Sequence, residues 1–380
     1  EITLTIQGKN YSTTSDVVLV IDCSGSMEGT KLTNTRKAAK AFGDKLLTEN
    51  STTRIAIVTF IDTATAYNSG HFYTASELSA FKAAVDAATY ANGGTNQQAG
   101  IHVAQQLLAS ASSTGKQKNI VILSDGEPTY SHPFVATATY EGCERLNSYW
   151  CGNYGPRDGR FTNVGAFTPD YNTEIGSGNS FTMNYNAYVN ATCTEHGTTS
   201  RLSYGVYALD GTVTQTSGTN NGVATIWEAN QAKTAGTTIF SVALQAGTEG
   251  ENTLKSCASD AAKGYFAIGQ NDNVETKLTA AFETIAGSIA KAATNGSVTD
   301  PMSQYVNLAF TGDPKVTNSL DEYNAGGYDV YLSQGTVTRS GETLNWNVGD
   351  INEGTPAVMK YRVTLKDGLS KDRTEVYPKS

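Results

Sequence analysis

A chain of 380 residues with 39% hydrophobic content is long enough for about two domains, each with its own core. Its 36 acidic and 27 basic side chains give a net charge of -9, with Lys and Arg scattered along the chain, which argues against nucleic acid or anionic lipid as a partner. No run approaches the roughly 18 apolar residues of a membrane helix, and Glu1-Ile-Thr-Leu-Thr-Ile lacks the basic and apolar regions of an export signal, so neither membrane insertion nor a leader is expected in this stretch.

In chain order, residues 1–7 alternate (Ile2, Leu4, Ile6) and read as a strand. Residues 16–22 (DVVLVID) are a near-continuous β-branched run, the mark of a central strand buried on both faces. A helix follows at about 31–47, with Leu32, Ala39, Phe42 and Leu46 on one face. Residues 54–61 read as a strand, 75–88 and 96–108 as helices, and 119–124 (NIVILS) as another buried strand. The rhythm resumes with a helix at 223–235, strands at 237–244 and 265–268, and a closing helix at 274–293. This alternation predicts an α/β domain over 16–293 with a doubly wound, mainly parallel sheet. Ligands of such sheets sit beyond the carboxyl ends of the strands.

Residues 128–222 interrupt the rhythm, because a connection of this kind normally takes only a few residues. This 95-residue insertion holds nine of the twenty tyrosines and no lysine, and it leaves from the loop after the buried strand 119–124. Its Tyr, Asn, Gly, Ser and Thr content is that of recognition loops, where tyrosines give contact area at low entropic cost. Tyr130, Tyr149, Trp150 and Tyr154 are its candidate ligand-binding residues. Cys143, Cys151 and Cys193 fall within about fifty residues, so one local disulfide is expected in an oxidising compartment, with the pairing open. From about residue 294 the chain turns to short alternating strands at 328–332, 343–348 and 357–365. Together with residues 1–15 this tail reads as a β-sandwich-like stalk domain into which the α/β domain is inserted.

Three loops on the same edge of the sheet carry the chemistry. Asp22-Cys23-Ser24-Gly25-Ser26 follows the first buried strand, Gly93-Gly94-Thr95-Asn96 opens a helix, and Ser124-Asp125-Gly126-Glu127 follows the next buried strand. Asp22, Ser24, Ser26, Thr95 and Asp125 make an all-oxygen set suited to octahedral Mg2+, with Mn2+ or Ca2+ able to replace it. Two carboxylates and three hydroxyls leave such a metal under-neutralised, free to recruit an acidic group from a partner. There is no D-x-D, G-x-S-x-G, Walker loop or H-E-x-x-H, and His71, His102, His132 and His196 have no nucleophile pattern nearby, so no enzyme is expected.

These residues resemble the von Willebrand factor A family, whose metal-ion-dependent adhesion site has the pattern D-x-S-x-S, then T, then D. The resemblance covers about 185 residues once the insertion is set aside. It implies that Ser24 and Ser26 bind the metal directly, Thr95 directly or through water, and Asp22 and Asp125 largely through water. It also marks the closing helix as a switch coupled to the metal loops. The N-terminal strand, the insertion after Asp125, and the tail motifs Leu344-Asn-Trp-Asn-Val-Gly-Asp350 and Met359-Lys-Tyr-Arg-Val-Thr-Leu-Lys-Asp367 resemble the tip adhesins of sortase-assembled pili of Gram-positive bacteria. That likeness implies a non-enzymatic adhesin at a cell-wall-anchored pilus tip on the bacterial surface. Its partner would be a host extracellular-matrix protein or glycan supplying an acidic group, and it would meet a pilus backbone subunit through a C-terminal region missing from this chain. The alternative is a structural pilus or stalk subunit whose metal is only structural. Stalk domains of such pilins often hold a Lys-Asn isopeptide bond; Lys9 or Lys360 with Asn345 or Asn347 are candidates here, no spacing rule selects a pair, and ordinary exposed lysines are the other reading.

Overall fold

The computed structural model describes residues 1–7, 14–49, 51–110, 116–142, 160–352 and 356–366. They form two units, one of Thr14–Ala286 and one made of Glu1–Thr13 with Gly287–Ser380. The chain opens the second unit with β1 (Ile2–Ile6) before entering the first.

In the α/β unit every residue of β2 (Ser15–Asp22) is buried, because its aliphatic run presents branched side chains to both faces and so has to be covered twice. Helix α1 (Thr30–Leu46) follows, then β3 (Arg54–Phe60), the short β4 (Ala64–Ala66), α2 (Leu78–Ala88), α3 (Gln97–Ala109) and β5 (Gln117–Ser124).

The insertion comes next, with β6 (Tyr130–Ser131), β7 (Phe134–Glu141), β8 (Arg160–Thr162), β9 (Ala187–Cys193), β10 (Thr199–Tyr207) and β11 (Val213–Thr214). Strands β11-β10-β9-β7-β8 make one sheet, with β7 and β9 parallel. Reading the segment by composition alone misses this order. Its strands bury every second residue, so Ala136, Ala138, Tyr140, Val189, Ala191 and Cys193 form a small core of their own.

The α/β pattern then resumes with α4 (Gly222–Thr234), β12 (Thr237–Leu244), α5 (Thr248–Cys257), β13 (Tyr265–Ile268) and α6 (Val274–Ile289). The sheet order is β13-β12-β5-β2-β3-β4, parallel except for β3 against β4. Successive connections run one way from β2 to β3 and the other way to β5, so the switch point lies between β2 and β5. Val18 and Val20 pack under α3, α4 and α5 in one cluster, while Phe42 of α1 meets Phe282 of α6 edge to face at 5.3 Å. Helix α5 escapes the sequence reading because its buried stripe is thin: Gly250, Thr253, Leu254 and Cys257. Helix α6 stops at Ile289 rather than 293, since from Lys291 the backbone pairs as a strand and that ladder overrides the helix propensity of Ala292 and Ala293.

The strands of the other unit include β14 (Lys291–Pro301), β15 (Val330–Leu332), β16 (Thr336–Ser340), β17 (Thr343–Asn352) and β18 (Ala357–Tyr361). One sheet runs β14-β17-β16, and another places β18 between β1 and β15. Their inner residues Leu344, Trp346, Val348, Met359 and Tyr361 form one core, lined by Ile2, Leu4 and Ile6. Strand β1 is held in antiparallel register, Ile2 opposite Tyr361 and Ile6 opposite Ala357.

The same alternation overturns the isopeptide pairs built on Lys360. Ala357, Met359 and Tyr361 point inward on β18, so Lys360 points out, and its ammonium lies 3.5 Å from Glu1 Oε1. Asn345 and Asn347 are the outward residues of β17, where their Oδ1 atoms accept from Thr299 Oγ1 and Gly349 N. Lys and Asn on the outer faces of different sheets cannot meet. Lys9 lies outside the described residues.

Trp346 is completely buried and its Nε1 donates to Gln334 O at 3.0 Å. Trp346→Ala is expected to cost about 3–5 kcal/mol in urea unfolding of the chain; a loss under about 1 kcal/mol would show that the indole does not hold this core together.

Candidate metal centre

Parallel pairing of β2 with β5 sets Ile21 opposite Leu123, so Asp22 and Ser124 leave the sheet side by side with Asp125 just beyond. The Asp22 carboxylate is fully buried. Its Oδ1 accepts the Ser24 N–H at 2.7 Å and its Oδ2 accepts the Ser124 hydroxyl at 2.5 Å. A carboxylate that bonds the backbone two residues on folds the chain back on itself, and here the turn brings both serines round toward Asp125. Ser24 Oγ lies 3.1 Å from Ser26 Oγ, and Ser26 Oγ donates to Asp125 Oδ1 at 2.8 Å. Met27, fully buried, anchors the 3-10 turn Gly25–Met27 that carries Ser26.

The third loop is stitched in by backbone. Gly25 N donates to Gly93 O at 3.1 Å, and Asn92 N donates to Cys23 O at 2.7 Å. Asp62 organises the turn from behind, its Oδ1 accepting the Gly94 N–H and its carbonyl accepting from Asn96 Nδ2. Gly93 sits at φ +67°, and a Cβ there would lie 2.7 Å from Asp62 Oδ1, so both its backbone and its neighbour demand glycine. Asn96 caps α3 by accepting from Ala99 N. Thr95, buried in this loop, is held by its backbone, its N–H on Thr129 Oγ1 and its carbonyl accepting from the N–H groups of Thr129 and Tyr130.

Asp22, Ser24, Ser26 and Asp125 thus share one chain of contacts, with the Thr95 loop bonded across the same edge. Burial first, and then the charge of Asp125, push the Asp22 carboxyl up to about 6. A divalent cation near both carboxylates would remove that repulsion, and the donors are hard oxygens throughout, so the set fits Mg2+ with Mn2+ or Ca2+ as alternatives. Among the described residues no group of three or more His, Cys, Asp or Glu side chains is arranged to hold a metal, so a cation here would depend on the hydroxyls as much as on the carboxylates.

Of the aromatic candidates, Tyr130 is half-buried beside the site. A Cβ on Gly94 would lie 2.6 Å from its ring, so the ring walls the Gly94–Thr95 loop. Tyr149, Trp150 and Tyr154 lie outside the described residues, as do Cys143 and Cys151. Cys193 is buried at the end of β9, its Sγ donating to Glu195 Oε2 at 3.2 Å.

Sequence reasoning passed over three residues here. Asp62 carries no motif and Ser124 reads as the last residue of a strand. Lys31, whose Nζ lies 2.5 Å from Asp125 Oδ2, is a cation in the first turn of a helix, where the macrodipole disfavours it; that mismatch was the available signal.

In EDTA, Asp22→Ala is expected to destabilise the chain by about 1–3 kcal/mol in urea unfolding, because the Ser24 N–H and the Ser124 hydroxyl lose a buried acceptor. Asp22→Asn keeps an acceptor and removes the repulsion, so its stability is expected to stay within about 1 kcal/mol of the parent or rise. Equal losses in both variants would contradict this account of the pair.

Comparison with known proteins agrees with this architecture. Residues 16–149 match the von Willebrand factor type A domain, and residues 292–379 match the Ig-like domain of the tip pilin GBS104-like group. The minor fimbrium subunit Mfa5 of Porphyromonas gingivalis is 27% identical over 395 residues, covering 96% of this chain and 29% of the relative. The crystal structure of the pilus adhesin SpaC from Lactobacillus rhamnosus GG in its open conformation superposes with a TM-score of 0.58 at 18% identity, over 97% of this chain and 41% of SpaC. A second SpaC structure gives 0.55 with the same identity and coverage. The chain therefore spans less than a third of Mfa5 and about two fifths of SpaC. With its three oxygen-bearing loops at the switch point of a doubly wound sheet and its sandwich-like second unit, the chain carries a von Willebrand factor type A domain, matched over residues 16–149, and an Ig-like domain of the tip pilin GBS104-like type, matched over residues 292–379.

Proposed function

We propose that this chain is the adhesive part of a pilus tip subunit, which binds a host extracellular-matrix protein or glycan through Mg2+ held by Asp22, Ser24, Ser26, Thr95 and Asp125. The observation that supports this most is the run of contacts from Ser24 Oγ to Ser26 Oγ at 3.1 Å and from Ser26 Oγ to Asp125 Oδ1 at 2.8 Å, beside the buried Asp22, at the carboxyl edge of the sheet. With the Lys31 ammonium on Asp125, the two carboxylates leave a site holding Mg2+ with a net charge of about +1, so an acidic group on a ligand gains by joining it. The chain's own residues place the donors and exclude bulk water beneath them, and no covalent step is involved. Tyr130 supplies one wall, and the insertion that begins there supplies ligand contacts. A pilus backbone subunit would be met through a region outside these residues, and the assembly would stand at the bacterial surface.

The test is binding of the purified chain to an array of matrix proteins and glycans in Mg2+ and in EDTA, with Ser24→Ala alongside. Binding is expected to fall at least about tenfold in EDTA and in the variant, a loss of about 1.4 kcal/mol. Binding that survives both would move recognition away from the metal edge and leave the metal a structural part.

A further inference from the structure

We infer that Lys31 is a built-in counter-cation of the metal centre, which partly neutralises Asp125 in the metal-free chain and opposes the entry of a divalent cation. The inference rests on the metal reading proposed above. Lys31 is the second residue of α1, a helix with no acidic residue in its first turn and with Gly29, which has no capping side chain, at its N-cap. A positive charge is disfavoured there, because the first turn's free N–H groups already present partial positive charge. What offsets this is Asp125, whose side chain has no exposed surface while that of Lys31 is 25% exposed.

The two carboxylate oxygens of Asp125 divide the work. Oδ1 faces the serines, taking the Ser26 hydroxyl at 2.8 Å, and Oδ2 takes the Lys31 ammonium at 2.5 Å. The lysine therefore occupies the carboxylate oxygen that the Ser26 hydroxyl leaves free, and a metal binding beside the serines would meet Asp125 already half neutralised. Asp22 and Asp125 carry two negative charges and Lys31 one positive, so the site holds a net charge of about -1 before any metal arrives. Without Lys31 it would hold about -2, and a cation would be bound more tightly. Asp125 would keep its place, since the Ser26 bond and its position at the end of β5 do not depend on the lysine.

The experiment titrates MnCl2 into the chain by calorimetry and water-proton relaxation at fixed pH and ionic strength, comparing the parent, Lys31→Met and Lys31→Arg. Lys31→Met is expected to bind Mn2+ roughly tenfold more tightly, from loss of a nearby unit charge. In EDTA it is expected to unfold at lower urea than the parent. Lys31→Arg, which keeps the charge, is expected to match the parent in Mn2+ affinity. Lys31→Gln keeps a donor to Asp125 without the charge and gives the same reading should the Met variant not fold. Unchanged or weaker Mn2+ binding by the uncharged variants, with the parent binding normally, overturns the role of Lys31 alone. If neither parent nor variants bind Mn2+, the metal centre itself falls and the inference with it.

Discussion

Two carboxylates forced close together at the ends of neighbouring buried strands are the constraint on which the rest of the site depends. Asp22 and Asp125 are brought together by the parallel β2–β5 ladder, whose hydrophobic strands cannot shift register without exposing their core faces. Their repulsion and the loss of solvent appear in the raised Asp22 carboxyl. Everything around them answers that cost. Ser24 N–H and Ser124 hydroxyl bond one carboxylate, and Ser26 hydroxyl and Lys31 ammonium bond the other. A divalent cation would complete the same compensation from the open side.

The insertion is attached to the same frame by a second buried acid. Glu228 of α4 is 4% exposed and accepts the Tyr171 hydroxyl at 2.8 Å, with His102 Nδ1 of α3 at 2.9 Å. Tyr171 stacks on His102 with ring centroids 3.5 Å apart, and burial together with Glu228 raises its phenol well above the usual range. His132 N donates to Gln98 Oε1 nearby. The insertion is thus tied to α3, the helix whose N-terminus carries the Thr95 loop. A ligand that engaged both the insertion and the metal edge would meet elements already fixed to one another.

The sequence was most legible where one physical requirement governs many consecutive residues. The buried runs at 16–22 and 119–124, and the helical stripe of Leu32, Ala39, Phe42 and Leu46, each report burial repeated at a regular period, and the doubly wound sheet follows from them. The D-x-S-x-S and its Asp partner were legible as donors at strand ends, and the parallel ladder brings Asp22, Ser24, Ser26 and Asp125 into one run of contacts. Helix α5 and the strand beginning at Lys291 were not, because a thin apolar stripe and an alanine pair leave local preference weak, and tertiary pairing decided them. The sheet inside the insertion was masked by the small residues on its inner face, Ala136, Ala138, Ala187 and Ala191, whose alternation is faint in composition.

By itself, then, the sequence determined which elements form, which face of each is apolar, and which oxygen donors stand at the ends of the buried strands, since periodicity and residue chemistry are local properties. Only the tertiary structure decided which charges meet. That Lys31 reaches Asp125 across 94 positions, that Asp62 braces the Gly94 loop, and that Lys360 turns to Glu1 rather than to an asparagine all depend on register and packing between distant segments. Such encounters leave no periodic trace, because a single side-chain contact constrains one residue at each end and nothing between.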